Sequence, residues 1–177
     1  MSPTRRLLLL RHAKAEPGEP EQDDHERALA ARGRRDAERI GEAMSERGLA
    51  PEQVLCSSAQ RTRETLDRIL PYLPSGLTLT VDKGLYLASA EEILARVALV
   101  DARVRCVLVV GHNPGLAALA ERLAGRRDSA AAARLRRKFP TGALAEIVVD
   151  CARWRELAPA RATLASFLTP RDCGDGT

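Results

Sequence analysis

Three apolar segments of this 177-residue chain stop at residues that prefer water and anions. Leu7 to Leu10 end at Arg11-His12, and Gln53–Ser58 (QVLCSS) ends at two serines and leads on to Arg61. Cys106 to Val110 end at Gly111-His112-Asn113-Pro114-Gly115. Two of the three histidines therefore stand directly behind apolar strands. Arginine offers a planar fork of donors to phosphoryl oxygens, so Arg11, Arg61, His12 and His112 around one hollow would describe a phosphate site. Guanidinium neighbours disfavour imidazolium, which leaves His12 neutral at pH 7. A neutral imidazole nitrogen attacks phosphorus without a separate base, and water can then hydrolyse the phosphohistidine formed. His112 would meet the equatorial oxygens as charge spreads over them. The turn before Gly115 would add N–H donors and the positive end of a helix dipole. Ser57 and Ser58 have two readings, holding phosphate or merely ending the strand. His25 reads as solvated surface, and Arg63, two residues past Arg61 on a helix, as structural or rim. A single histidine after a strand is more often structural; two, each beside an arginine or a Gly-Pro turn, favour chemistry.

For these groups to meet, the strands must be parallel neighbours. Leu7–Leu10 predicts a strand buried on both faces. Ala37, Ile40 and Met44 recur at helical spacing within about Arg34–Arg47, with Gly48 as the stop. A helix follows over residues 59–73, then an alternating strand at Leu77–Asp82. Ser89 and Glu92 form a capping box for the next helix. Cys106–Val110 is the clearest strand, and a helix from Gly115 runs to Gly125. Residues 143–150, 154–158 (WRELA) and 162–168 read as strands. Alternating strands and helices predict a three-layer α/β/α fold, a mostly parallel sheet with helices on both faces. Ligands bind such sheets at the C-terminal strand ends. Residues 1–170 read as one domain and 171–177 as a disordered tail.

Composition excludes several classes. No apolar run approaches the ~18–20 residues of a membrane span, and four leucines are too few for a signal peptide. The chain is expected to be cytoplasmic, and a monomer. Its four cysteines form no CxxC pair, and there is no HxH or HExxH, so neither a metal nor another cofactor is expected. The net charge of +4 comes mostly from arginines spread along the chain. Residues 126–138 (RRDSAAAARLRRK) are the most cationic segment, but no aromatics interleave for base stacking, so nucleic acid is not the expected partner.

With those residues in view, the chain resembles the histidine phosphatase superfamily, the phosphoglycerate-mutase-like fold. The family's R-H-G triplet reads Arg11-His12-Ala13 here. Its S-x-x-x-R-x-x-x-T segment is matched by Ser57, Arg61 and Thr65, its first-helix segment by Leu29 and Gly33, and its second histidine by His112. The short length and the segment GLYLASAEEIL resemble the SixA-type phosphohistidine phosphatases. That resemblance implies His12 as nucleophile and Arg11, Arg61 and His112 as the rest of the phosphate pocket. Larger branches carry a glutamate acid where this chain has Leu85-Tyr86-Leu87, or an aspartate where it has Asn113. Without a carboxylic acid, a labile phosphoramidate is the better-matched substrate, because expelling an alkoxide benefits about 10²–10⁴-fold from protonation. Asp82, Glu16 and Glu91 are the carboxyls that could still swing in. The expected function is removal of phosphate from a phosphohistidine-bearing protein, with small phosphate esters as the alternative.

Overall fold

Strand geometry explains the four leucines. In β1 (Thr4–Arg11), successive side chains point to opposite faces. Leu7 and Leu9 enter one apolar layer, Leu8 and Leu10 the other, and all four are fully buried. Each contributes roughly 2 kcal/mol of burial. The structure is a computed structural model that describes residues 4–125, 129–157 and 161–174.

After β1 come α1 (Ala31–Glu46), β2 (Gln53–Ser57), α2 (Gln60–Ile69), β3 (Thr78–Asp82), α3 (Ala90–Ala98) and β4 (Cys106–Gly111). Then follow α4 (Gly115–Ala124), α5 (Ala130–Arg137), β5 (Leu144–Asp150) and β6 (Ala162–Leu168). The strands form one sheet in the order β3-β2-β4-β1-β5-β6. β3, β2, β4 and β1 are parallel, while β5 and β6 are antiparallel to their neighbours. Ile40 and Met44 of α1 and Leu66 and Ile69 of α2 cover the Leu8 and Leu10 face. Ile93, Leu116, Leu119 and Leu135, from α3, α4 and α5, cover the other. The mostly parallel, three-layer α/β/α architecture is the one the sequence pattern predicts.

α1 begins three residues before the expected Arg34. It can do so because Gly33 passes close to the loop after β1: a Cβ there would lie 2.0 Å from the Lys14 carbonyl oxygen. At the other end Gly48 has φ +64°, the left-handed stop expected of it. The capping box is formed: Ser89 Oγ accepts from Glu92 N–H at 3.3 Å and Glu92 Oε2 accepts from Ser89 N–H at 2.8 Å.

Two expectations need correction. Residues 154–157 are not a strand, since Trp154–Glu156 is a 3-10 turn, and Ala158 lies outside the described residues. Trp154 is 1% exposed, donates its indole N–H to the Val104 carbonyl at 3.0 Å, and lies under the Arg5 guanidinium at 5.5 Å. It is therefore a core residue beside the N-terminal end of β1, far from the strand ends that carry Arg11 and His112. The expected disordered tail does not begin at 171 either. Asp172 accepts from the Thr169 N–H at 2.7 Å and the Thr169 hydroxyl at 2.8 Å, and pairs with Arg134. Residues 175–177 lie outside the described residues.

Candidate active site

β4 lies between β1 and β2, so the residues that follow these three strands are neighbours. Arg11 pairs with Gly111 and Cys56 with Val110, and the His12 N–H donates to the Gly111 carbonyl at 3.0 Å. Arg11, His12, Arg61 and His112 line one cavity of about 480 Å³ at this edge. The two imidazole centroids are 5.3 Å apart.

His12 is 9% exposed, and its Nδ1 lies 2.8 Å from the Ala13 carbonyl oxygen. A carbonyl only accepts, so Nδ1 carries the proton and Nε2 keeps the lone pair. Burial, with Arg61, Arg11 and Arg27 nearby, lowers the His12 pKa to about 4 against the smaller opposing effect of the Ala13 bond. His112 is lowered to about 3, again chiefly by burial, then by His12 and Arg61. Both rings are thus uncharged at neutral pH. Ser57 Oγ lies 2.7 Å from His112 Nε2 and accepts from the Ala59 N–H at 3.4 Å. The hydroxyl can donate to Nε2, the tautomer that carries the His112 proton on Nδ1, a buried atom without a partner. Ser57 is fully buried and engaged with His112, so it positions that ring rather than facing the cavity.

The arginines are held differently. Arg11 donates from Nη1 to the Phe139 carbonyl at 2.9 Å, while its buried Nε has no partner. Burial and then Arg61 lower its pKa. Arg61 is 4% exposed, and both its terminal nitrogens meet Asp24: Nη1 the carbonyl oxygen, Nη2 the carboxylate at 2.9 Å. Thr65 ties the two motif segments together. Its hydroxyl donates to the Arg61 carbonyl at 2.6 Å and accepts from the Ala13 N–H at 3.0 Å.

Asp24 was not singled out by sequence reasoning, which took its neighbour His25 for solvated surface. Its carboxylate also accepts from the Tyr86 hydroxyl at 2.7 Å and from Arg27 at 2.8 Å. The Tyr86 bond, then Arg27 and Arg61, hold it well below the usual carboxylate range against some opposing burial. Asp24 is the carboxylate that lines the cavity among the described residues. The three proposed alternatives are elsewhere. Asp82 pairs with Arg96 at 2.7 Å, Glu91 faces Arg122 at 3.3 Å, and Glu16 is exposed outside the cavity lining.

His25 is not solvated surface. It is half-buried, with Nε2 2.8 Å from Ser58 Oγ and its ring edge-on to Tyr86 at 4.9 Å. Arg63 is exposed and donates to the Ser58 carbonyl at 3.1 Å. The turn before α4 has fewer N–H groups to offer than a regular helix start, with Asn113 lining the cavity. Pro114 has no N–H, the Leu116 N–H donates to the His112 carbonyl at 3.0 Å, and Gly115 packs against the Ala88 carbonyl. Among the described residues, no group of His, Cys, Asp and Glu is placed to hold a metal ion. The donors gathered here, two guanidinium groups and two neutral imidazoles, suit an anion.

Residues 7–86 match the family profile of the histidine phosphatase superfamily, branch 1. The whole fold superposes on the SixA protein from Nakamurella multipartitia with a TM-score of 0.82 at 34% identity, covering 96% of this chain and 98% of that one. The chain belongs to the histidine phosphatase superfamily, and within it to the SixA type. A SixA protein from Agrobacterium tumefaciens aligns with a TM-score of 0.79 at 32% identity over 94% of this chain and 98% of that one. An uncharacterised protein of Mycobacterium leprae is 36% identical over 168 residues, 92% of this chain and 100% of its own length. Against the R-H-G signature of this superfamily, Ala13 is accommodated without strain. Its φ is not positive, and its methyl is buried in the core beneath α1 and α2 rather than in the cavity.

Proposed function

We propose that this phosphatase removes phosphate from phosphohistidine on a partner protein through a covalent intermediate on His12. The observation that carries the reading is the state of Asp24: the cavity's carboxylate is deprotonated and bound by Tyr86, Arg27 and Arg61. No carboxylic acid stands ready to protonate an alkoxide, whereas phosphohistidine loses a neutral imidazole when its second ring nitrogen is protonated.

His12 Nε2 donates its lone pair to phosphorus as the P–N bond to the substrate imidazole breaks, and that bonding pair leaves with the substrate nitrogen. Arg11 Nε and the His112 Nδ1–H, both without partners, are the donors left to meet the equatorial oxygens. Arg61 exchanges Asp24 for the phosphoryl group. Water then attacks phosphorus, the P–Nε2 bond breaks, its electron pair returns to His12, and inorganic phosphate leaves. The proton released by water goes to phosphate or solvent.

The test is to mix the protein with a radiolabelled, histidine-phosphorylated phosphotransfer domain, quench, and locate the label. Acid-labile, base-stable phosphate on His12 is expected, with turnover abolished in His12→Ala. A phosphorylated metabolite turned over much faster than phosphohistidine would overturn the substrate assignment in favour of a small ester.

A further inference from the structure

We infer that the basic cleft beside the reactive pocket is a docking surface for an acidic face of the phosphohistidine-bearing partner. The inference rests on the proposed function and specifies the partner's chemistry. The cleft, about 540 Å³, is lined by Lys14, Arg32, Arg134, Arg137, Lys138 and Arg171. It shares Lys14 and Thr141 with the reactive cavity, so the two hollows are adjacent. Asp36 and Asp172 also line it, but Arg32 binds Asp36 at 3.4 Å and Arg134 binds Asp172. Lys14, Arg137, Lys138 and Arg171 are exposed and have no acidic partner among the described residues. Several surface arginines elsewhere in the chain are paired with acids, as Arg68 is with Glu38 and Arg103 with Asp101. The clustering of unpaired cations at this one rim is what points to a partner.

The cleft is also mechanically joined to the chemistry. α5 ends at Arg137, and the chain then turns through Phe139 and Gly142 back to the pocket. Arg11 and Asn113 both donate to the Phe139 carbonyl at 2.9 Å. The Gly142 N–H reaches the carbonyls of Arg11 and His12 at 3.1 and 3.0 Å. A protein that inserts a phosphorylated histidine toward His12 brings its surrounding surface up to the rims of the cavity, and this is the cationic one. A basic face would meet four unpaired cations, whereas an acidic one would be steered in. Nucleic acid is a poorer match, because the nearby rings of Phe139 and Phe167 are 3% and 4% exposed and offer no stacking face.

The test compares wild type with the triple variant Arg137→Glu, Lys138→Glu, Arg171→Glu, and with a neutral counterpart carrying Gln at the same positions. None of these residues lies in the reactive pocket, and melting curves verify that each variant is folded. Two substrates are used, an acidic-faced histidine-phosphorylated phosphotransfer domain and free phosphoramidate. The Glu variant should lose about 10-fold or more in kcat/KM on the domain, through KM, while phosphoramidate hydrolysis stays unchanged. The Gln variant should fall between. Raising salt from about 0.05 to 0.5 M should depress wild-type turnover of the domain and leave the Glu variant nearly flat. Unchanged kcat/KM on the domain, equal loss on both substrates, or equal turnover of an acidic-faced and a basic-faced domain would each overturn the docking surface alone. A wild-type protein inert on every phosphorylated domain but active on a sugar phosphate would overturn the proposed function, and this inference with it.

Discussion

β1 has an arginine near each end, Arg5 buried and Arg11 half-buried, and the two are treated in opposite ways. Arg5 is 2% exposed and every part of its guanidinium is matched. Nε donates to the Cys151 carbonyl at 3.1 Å, Nη2 to the carbonyls of Ala102 at 2.6 Å and of Ala152, and Nη1 to that of Val104. The Trp154 ring lies against it. Arg11 has one carbonyl partner and a buried Nε with none. The first arrangement holds the chain together; the second keeps donors in reserve for a ligand. A buried donor left without a partner is costly, and in Arg11 that cost falls at the edge where phosphate would arrive.

The comparison is broken most directly at Arg11. Arg11→Leu should lower kcat/KM on phosphohistidine by roughly 10³-fold, the scale of losing a guanidinium from phosphoryl transfer. Its melting temperature should stay level or rise, since an incompletely bonded cation leaves the interior. A large drop in Tm with modest loss of activity would reverse the assignment. Arg5→Leu should do the opposite. It strands the carbonyls around position 5, costing ~3–5 kcal/mol and lowering Tm by about 10 °C or more, with kcat unchanged wherever the variant is folded. The smallest effect sharpens rather than breaks the contrast. His12 titrates near 4 when folded and near 6.5 when unfolded, so the unfolded chain binds more protons between those values. The neutral ring's contribution to stability is thus fully present above about 6.5 and is lost as pH falls toward 4. Imidazole NMR should show the His12 ring uncharged through pH 6 to 5, and His12→Ala should flatten the acid slope of stability. A His12 resonance titrating near 6.5 would contradict the buried, cation-ringed setting.

The sequence carries what is local. The leucine run, the apolar β4 segment, the capping box at Ser89 and the Gly48 stop follow from spacing and residue type, and so do the positions of His12 and His112 behind strands and of Arg61 on the helix after β2. What it hides depends on contacts across the chain. Asp24 has its meaning from Arg61 and Tyr86, 37 and 62 residues away, and His25 from Ser58, 33 residues away. The fully bonded Arg5 could not be told from the exposed Arg6 beside it, because its carbonyl partners lie 97 to 147 residues distant. Trp154 misled for a similar reason. Its segment read as a strand, but Trp154 is held by the Arg5 and Val104 contacts in a 3-10 turn.

Four identical side chains in a row have a further implication. If β1 slid by one position, leucine would still replace leucine at three of the four places, and the oily interior would scarcely notice. Leu7 to Leu10 therefore carry almost no information about where the strand should stop. That information sits at the two ends of the run: a slide one way puts Thr4 in the nest of carbonyls that Arg5 fills, and a slide the other way puts Arg6 there but drives Arg11 into the buried place of Leu10, so the flanking residues set where His12 comes to stand.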